Sequence, residues 1–332
     1  MPMQRRPFLA ISMGVLAGKA QAQLQAGSQA QTGFPPRPVT LVVAFSAGST
    51  NDILARMLAA EVSLRLGQPV PVDARPGAGG TLAVAGVARG RADGLTLVLV
   101  STSTIPINRA LYRNLSYDPY KDLAPVSISA STPNALVVKA DAPMRSLAEL
   151  AARLGGTPGL RYFSPGNGTS QHLSCVQLLL AVGGTSEHIP YRGPAEGIAG
   201  LLSGDTDWGF SAVPSILGLA RDGQVRVLGL TGTRPLASLP DAPTFASMGV
   251  PGFEETDVWY GIAAPAGTPP EALAILRRAF AEALAQPDLQ ARLAAAGFYP
   301  VPPMDGPAME VFLGRQVAFW ADLVKASGAT ID

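Results

Sequence analysis

Short apolar runs alternate with amphipathic stretches along almost the whole chain. Val39 to Phe45 is a β-rich run, after which Ile53, Leu54, Met57, Leu58 and Val62 recur at helical spacing. Val70 to Asp73 and Leu95 to Ser101 read as the next strands, separated by a helix over Thr81 to Arg89. With Asn134 to Lys139 the same syntax restarts. A helix over Ser146 to Leu154 leads to a strand over Leu160 to Phe163, and a helix over Ser170 to Val182 to a strand near Ile189 to Tyr191. A helix over Ala195 to Leu202 then precedes strands at Thr206 to Phe210 and Val225 to Leu230. Strands alternating with helices predict an α/β protein with parallel sheets made of βαβ units, the first part being half of a doubly wound sheet.

The stretch Trp259 to Pro270 repeats the form of Ala135 to Pro143, an apolar strand followed by a proline and a helix. Helical patterns over Pro270 to Ala285, Pro287 to Ala296 and Pro307 to Ala326 finish the chain. A strand that closes the second half and mirrors the one that opens it implies two crossings between domains, near Ser131 to Ala135 and Thr256 to Tyr260. The C-terminal helices are expected to pack on the first domain. Domain 1 is thus predicted over 39–132 and 256–332, and domain 2 over 133–255.

Two loops stand out against this frame: Ala44 to Asp52 and Tyr162 to His172. Each follows a strand and opens a helix, so each is a small-residue loop delivering backbone N–H groups at a helix N-terminus, where the macrodipole favours an anion. Ser49, Thr50, Thr169 and Ser170 add hydroxyls and Asn167 an amide, while neither loop holds an Arg or Lys. Taken singly, each loop is satisfied by an N-cap at Ser49 or Thr50, and at Thr169 or Ser170. Asp52 would stabilise its own helix and compete with a bound anion. Their equivalent places in two matching halves predict a cleft gripping a small carboxylate from both sides.

Composition narrows the alternatives. The chain has 332 residues, of which 15% are charged, and it contains no polybasic run, which argues against nucleic acid or an anionic membrane surface as a partner. The N-terminus reads as an export signal: Arg5 and Arg6, an apolar core from Phe8 to Leu16, and the small-x-small site Ala20-Gln21-Ala22. Arg5-Arg6-Pro7-Phe8-Leu9 also resembles a twin-arginine signal, so twin-arginine and general secretion both stay open. Removal of residues 1–22 takes away Arg5, Arg6 and Lys19 and no acid, moving the formal net charge from +1 to −2, and residues 23–38 then form a linker. Cys175 is the only cysteine, so no internal disulfide is available, and it reads as a buried inert thiol.

Enzyme signatures are sparse. Gly77-Ala78-Gly79-Gly80 does not complete a dinucleotide pattern because Leu82 interrupts it, and it reads as a tight turn. His172 and His188 are the only histidines and have no acid or cysteine at ligand spacing, so no metal and no cofactor is expected. His172, in the first turn of a helix, is a cap, a packing residue or a ligand contact, and His188 belongs to a strand edge. A hydrolase using Ser101 or Ser164 with His172 is the catalytic alternative.

The chain resembles the Bug family of extracytoplasmic solute receptors, the binding component of tripartite tricarboxylate transporters. The resemblance runs through Phe45 to Arg56, Asp73 to Gly80, Tyr117 to Val126, Ser164 to His172, Ile189 to Gly193, Leu239 to Thr244 and Trp259 to Pro269. Each motif is weak alone; together, in family order, they are specific. The resemblance implies a two-domain periplasmic binding protein, a type II-like Venus flytrap with each domain a sheet flanked by helices, a carboxylate in the cleft and no catalysis. The ligand contacts expected are Phe45, Ser46, Ala47, Gly48, Ser49, Thr50, Asn51, Ser101, Ser164, Gly166, Asn167, Gly168, Thr169, Ser170, His172, Tyr191 and Ser211. Ser211-Ala212 stands where many relatives carry an acid or amide, which weakens the case for an amino-acid ligand and leaves a simple mono- or dicarboxylate or an aromatic one. The expected partners are that carboxylate and the membrane subunits of a transporter, with the receptor a monomer in the periplasm. An exported sensor presenting its ligand to a membrane kinase would use the same flytrap.

Overall fold

The computed structural model describes residues 33–156, 159–302, 304 and 306–328, so the export segment read over 1–22 and most of the linker lie outside the described residues. The first lobe begins with β1 (Thr40–Val43), α1 (Thr50–Leu66), β2 (Val72–Ala74), α2 (Thr81–Ala88) and β3 (Thr96–Ser101). A π-helical turn at Ser103–Ile107 leads through α3 (Asn108–Leu111) to the long strand β4 (Leu123–Thr132). The second lobe holds β5 (Asn134–Lys139), α4 (Leu147–Gly156), β6 (Arg161–Ser164), α5 (Ser170–Val182), β7 (Glu187–Pro190), α6 (Pro194–Ser203), β8 (Trp208–Ala212), α7 (Val213–Arg221) and β9 (Val225–Leu230). The chain then returns through β10 (Val258–Pro265) to α8 (Pro270–Leu284), α9 (Pro287–Ala295), β11 (Tyr299–Pro300) and α10 (Gly306–Ser327).

One sheet runs β11-β4-β10-β3-β1-β2 and the other β7-β6-β8-β5-β9. Both are mixed, which corrects the expectation of parallel sheets. Strands β1, β2 and β3 are parallel, as are β6, β7 and β8, but β10 runs antiparallel to β3 and β4, and β5 antiparallel to β8 and β9. The reversed strands include the two that enter a lobe from the other one. They arrive from the cleft side, whereas a βαβ crossover arrives from the far end.

Strand alternation distributes each sheet between two cores. Leu41, Val43, Leu97 and Leu99 point to the side of α1 and α8, while Val42, Ala44, Val98 and Val100 point to α2. In the second lobe Leu136 and Val138 pack with Tyr162, Trp208 and Phe210, and Ala135 and Val137 pack with Phe163, Ile198 and Ile216. Cys175 is fully buried there, and burial raises its thiol well above the ordinary range, in line with an inert side chain.

The crossings lie side by side. Pro133 joins β4 to β5, and the end of β4 pairs with the start of β10, Val258 against Thr132. A third tie comes from α10. Trp320 and Val324 pack with Ile107 and Leu111 of the first lobe and with Leu173 of the second, so the last helix touches both lobes and not the first alone.

Candidate functional site

Both loops fold into the same turn. In the first, the Ser49 N–H donates to Ser46 O at 3.1 Å, Gly48 is left-handed at φ 78°, and Ser49 is the N-cap of α1 with φ −68° and ψ 160°. In the second, the Thr169 N–H donates to Gly166 O at 3.4 Å, Gly168 has φ 71°, and Thr169 caps α5 with φ −73° and ψ 156°. Ser49 Oγ accepts from the Asp52 N–H and Thr169 Oγ1 from the His172 N–H, both at 3.3 Å. Of the hydroxyl pairs left open by the sequence, Ser49 and Thr169 are therefore the caps. Thr50 and Ser170 stand one residue further in, and of the two only Thr50 reaches the space between the lobes.

The residue four positions beyond each glycine closes the turn, and here the two loops differ. Asp52 Oδ2 accepts the Gly48 N–H at 3.0 Å and is held by Arg56 Nε at 3.0 Å. Burial raises the Asp52 carboxyl, but the bonds from Arg56 and the Gly48 N–H outweigh that and leave it below the ordinary carboxylate range. Its charge is thus turned to its own helix and its own arginine. His172 Nδ1 accepts the Gly168 N–H at 3.2 Å, and its ring stacks on His188 at 4.3 Å, which stacks on Tyr162 at 4.7 Å. Burial pushes His172 down to about 4, and burial together with His172 pushes His188 down to about 3, so both rings are neutral at pH 7.

The loops face each other across the lobes. Thr50 Oγ1 lies 2.8 Å from Ser215 Oγ on α7, and the Ser170 N–H donates to Ser103 Oγ at 3.5 Å. Gly168 is packed against Leu111 so closely that a Cβ there would overlap the Leu111 side chain. Between the loops lies an inner cavity of about 30 Å³. From the first lobe it is lined by Phe45, Ser49, Thr50, Asn51, Ser101, Ser103, Val258 and Tyr260, and from the second by Pro165, Thr169, Gln171, Pro194, Ala212 and Ser215. No Lys, Arg, Asp or Glu lines it. Phe45 and Pro165 also border an outer chamber of about 820 Å³, which Ser46, Ala47, Pro76 to Gly80 and Tyr112 close on one side and Gly166, Asn167 and Tyr191 to Gly193 on the other. Ala195 and Glu196 complete its wall.

Eleven of the expected contacts border one space or the other: Phe45, Ser46, Ala47, Ser49, Thr50, Asn51, Ser101, Gly166, Asn167, Thr169 and Tyr191. Six do not line these spaces. Gly48 and Gly168 shape the turns. Ser164 Oγ is taken by His188 Nε2 at 2.7 Å, and His172 is a packing residue and turn acceptor. Ser170 Oγ sits 3.5 Å from Asn134 Nδ2, and Ser211 is fully buried within β8. The serine–histidine alternative finds no support: Ser164 Oγ meets His188 and not His172, and the hydrogen bonds of His172 go to Gly168 and Thr169, not to Ser101 or Ser164. Gln171, Ser103, Ser215 and Tyr260 are the inner-wall residues that sequence reading missed. Gln171 had a signal available: it holds the position in its loop that Asn51 holds in the other.

The Gly77 to Gly80 turn is a wall of the outer chamber. Gly77, Gly79 and Gly80 have φ of 145°, 60° and 89°, and Ala78 has φ 46°. Carbonyls of this turn are tied back by Asn108 Nδ2 to Gly79 O at 3.3 Å and the Tyr112 hydroxyl to Ala78 O at 3.1 Å. Among the described residues no group of three or more His, Cys, Asp or Glu could hold a metal, and no helix is long and apolar enough to cross a membrane.

The receptor profile of the tripartite tricarboxylate transporter family matches residues 54–329. Protein BugT of Bordetella pertussis is 32% identical over 314 residues, covering 94% of this chain and 95% of BugT. The periplasmic binding protein BugD superposes with a TM-score of 0.84 at 30% identity, covering 90% of this chain and 99% of BugD. Rpa4515 of R. palustris, solved with adipate, superposes with a TM-score of 0.86 at 32% identity, covering 90% of this chain and 100% of that one. These similarities span both lobes and the cleft between them.

Proposed function

This chain belongs to the tripartite tricarboxylate transporter family of receptors, and on that premise we propose that it captures a small carboxylate in its interlobe cleft and hands it to the membrane subunits of such a transporter. Members of this family are periplasmic solute receptors and not enzymes. The observation that carries the ligand class is the pair of equivalent helix N-termini converging on a cavity without an ionisable Asp, Glu, Lys or Arg. Free N–H groups and hydroxyls on both sides supply hydrogen bonds to an anion, and two helix dipoles point their positive ends at it. The adipate held by Rpa4515 is a carboxylate ligand in a protein of the same fold, and it supports this reading.

Residues 39–132 with 256–332 act as one body and 133–255 as the other, rotating about the adjacent crossings at Pro133 and Val258. The Thr50–Ser215 contact belongs to the closed arrangement. The mature chain, a monomer, begins at or near Gln23 after cleavage of the signal; intact mass of periplasmic protein is expected to lack residues 1–22, and a stable product retaining Met1 would refute export by cleavage.

Calorimetric titration against a panel of carboxylates tests the ligand class. Thr169→Ala removes the α5 cap, whose hydroxyl donates to Gly166 O at 2.9 Å and accepts the His172 N–H at 3.3 Å, and so loosens the second loop but leaves the backbone donors. It is expected to weaken a binding carboxylate by roughly tenfold without abolishing binding, with folding checked by circular dichroism. A panel of uncharged amides and alcohols binding as well as the acids would overturn the anion reading.

A further inference from the structure

We propose that the first lobe carries a second binding site, separate from the cleft, for a small uncharged aromatic molecule. The site is a cavity of about 280 Å³ between the last helix, α10, and the sheet face made by β3, β10 and β4. Strand alternation keeps it apart from the cleft. Ser101, Val258 and Tyr260 line the inner cavity, whereas their neighbours Val100 and Trp259 turn to the opposite face and line this one. Neither the inner cavity nor the outer chamber shares a lining residue with it.

The lining sets the ligand class. Val100, Ile128 and Trp259 form the floor, Ile105, Leu123 and Leu313 the sides, and no Lys, Arg, Asp, Glu or His borders the space. A carboxylate entering it would lose its hydration and gain no partner, so the anion bound by the cleft does not belong here. The polar groups present are already paired: Trp259 Nε1 donates to Gln316 Oε1 at 3.0 Å, and Ser127 Oγ lies 3.2 Å from Ser129 Oγ. Trp259 thus offers the surface of its ring, which suits another aromatic ring. An apolar cavity of about 150 Å³ admits benzene, so this one has room for a substituted ring.

Two residues line the cavity and also face solvent, Tyr120 and Gly314, and they mark its mouth. Gly314 lies within α10, where any ordinary side chain would favour the helix more, and a Cβ there would meet nothing within 4 Å. The helix is therefore bare where it passes the opening. Protein interiors hold few voids larger than a water, and an apolar chamber of this size with an open mouth has the form of a ligand pocket.

The probe is p-cresol, a phenol uncharged at pH 7, titrated by calorimetry into the mature protein. Wild type is expected to give a saturable one-to-one isotherm that an excess of benzoate, directed to the cleft, does not displace. Gly314→Leu covers the mouth and is expected to weaken p-cresol about tenfold or more, with folding checked by circular dichroism. Thr169→Ala, altered in the cleft, is expected to stay within about twofold of wild type. A readout independent of Gly314 comes from the indole N–H resonances of the three tryptophans, assigned with Trp259→Phe: p-cresol is expected to shift that of Trp259 and leave that of Trp208 in place. Absence of binding to wild type, full affinity in a folded Gly314→Leu, displacement by benzoate, or an unmoved Trp259 resonance each overturns the site. The carboxylate reading of the cleft stands or falls separately, on its own titrations.

Discussion

The loop before α1 and the loop before α5 share one backbone and differ in what stands behind it. Gly48 is exposed, and a Cβ there would meet nothing within 4 Å; Gly168 is buried and pressed against Leu111 of the opposite lobe. The first turn is closed by a carboxylate paired with Arg56, the second by a neutral imidazole inside an aromatic stack. A turn that presents N–H groups to an anion can therefore be built with either an acid or a base as its own acceptor, provided that group's charge is cancelled locally. What differs is where each loop gets its rigidity: from its own helix in one case, from the lobe interface in the other.

The largest expected break in this symmetry comes from adding one methyl group. Gly48→Ala and Gly168→Ala both force a side chain into the left-handed region, at about 1–2 kcal/mol each. Only Gly168→Ala also pushes into Leu111 where the lobes meet, so its carboxylate affinity is expected to fall about a hundredfold against tenfold or less for Gly48→Ala. Leu111→Ala placed in the Gly168→Ala background should return much of the loss. Equal losses by calorimetry would show that the interface does not define the second loop.

Acidification separates the loops next. His172 and His188 titrate near 4 and 3 in the folded chain against 6.5 when unfolded, so below pH 6.5 the unfolded chain binds more protons. Their contribution to stability is complete above about 6.5 and is lost as pH falls toward 4. Asp52, held below the ordinary carboxylate range by Arg56 and the Gly48 N–H, keeps its contribution until pH falls below that range. The melting temperature is expected to decline between pH 6.5 and 4.5, and His188→Gln should flatten that decline. An unchanged melting temperature over this interval would mean that the imidazoles charge without leaving the stack.

The smallest effect concerns the acid in the first loop. Asp52→Asn removes a negative charge from the end of α1 while keeping an acceptor for the Gly48 N–H. Anion affinity is expected to rise about two- to threefold at low salt, with a modest loss of stability from the broken Arg56 pair. No change in affinity would indicate that Arg56 already cancels the charge fully at the cleft.

The sequence made the loops legible because small residues, hydroxyl caps and the following helices leave a dense local signal. Residues 170–182 were delimited correctly by helical periodicity, and Val225–Leu230 by its β-rich run. Strand β4 was missed because register shifts break its alternation: Val126 and Ala130 pack into one core and Ile128 into the other, and the serines between them, Ser127, Ser129 and Ser131, are buried although polar, with Ser127 Oγ and Ser129 Oγ 3.2 Å apart. Helix α7 was missed because nine residues, with Pro214 second, carry little more than two turns of pattern, yet it brings Ser215 to Thr50. The roles of Ser164 and His172 were hidden for another reason: both are polar residues in a polar loop, and only the fold shows that each is spent on His188 or on its own turn.

Trp320 sits fully buried where α10 meets Ile107 and Leu111 on one side and Leu173 on the other. Leu173 directly follows His172, so this anchor lies at the inner end of the second loop, and Gln316 Oε1, which accepts from Trp320 Nε1 and Trp259 Nε1 at 3.0 Å each, ties it to the start of β10. Two bodies joined only along a pair of adjacent strands can twist, shear and bend. Held again by α10, they have fewer ways to move, and the groups near Trp320 travel least. Under the two-body motion proposed above, the outer chamber's walls swing furthest, and the parting of Thr50 from Ser215 marks how far the cleft has opened.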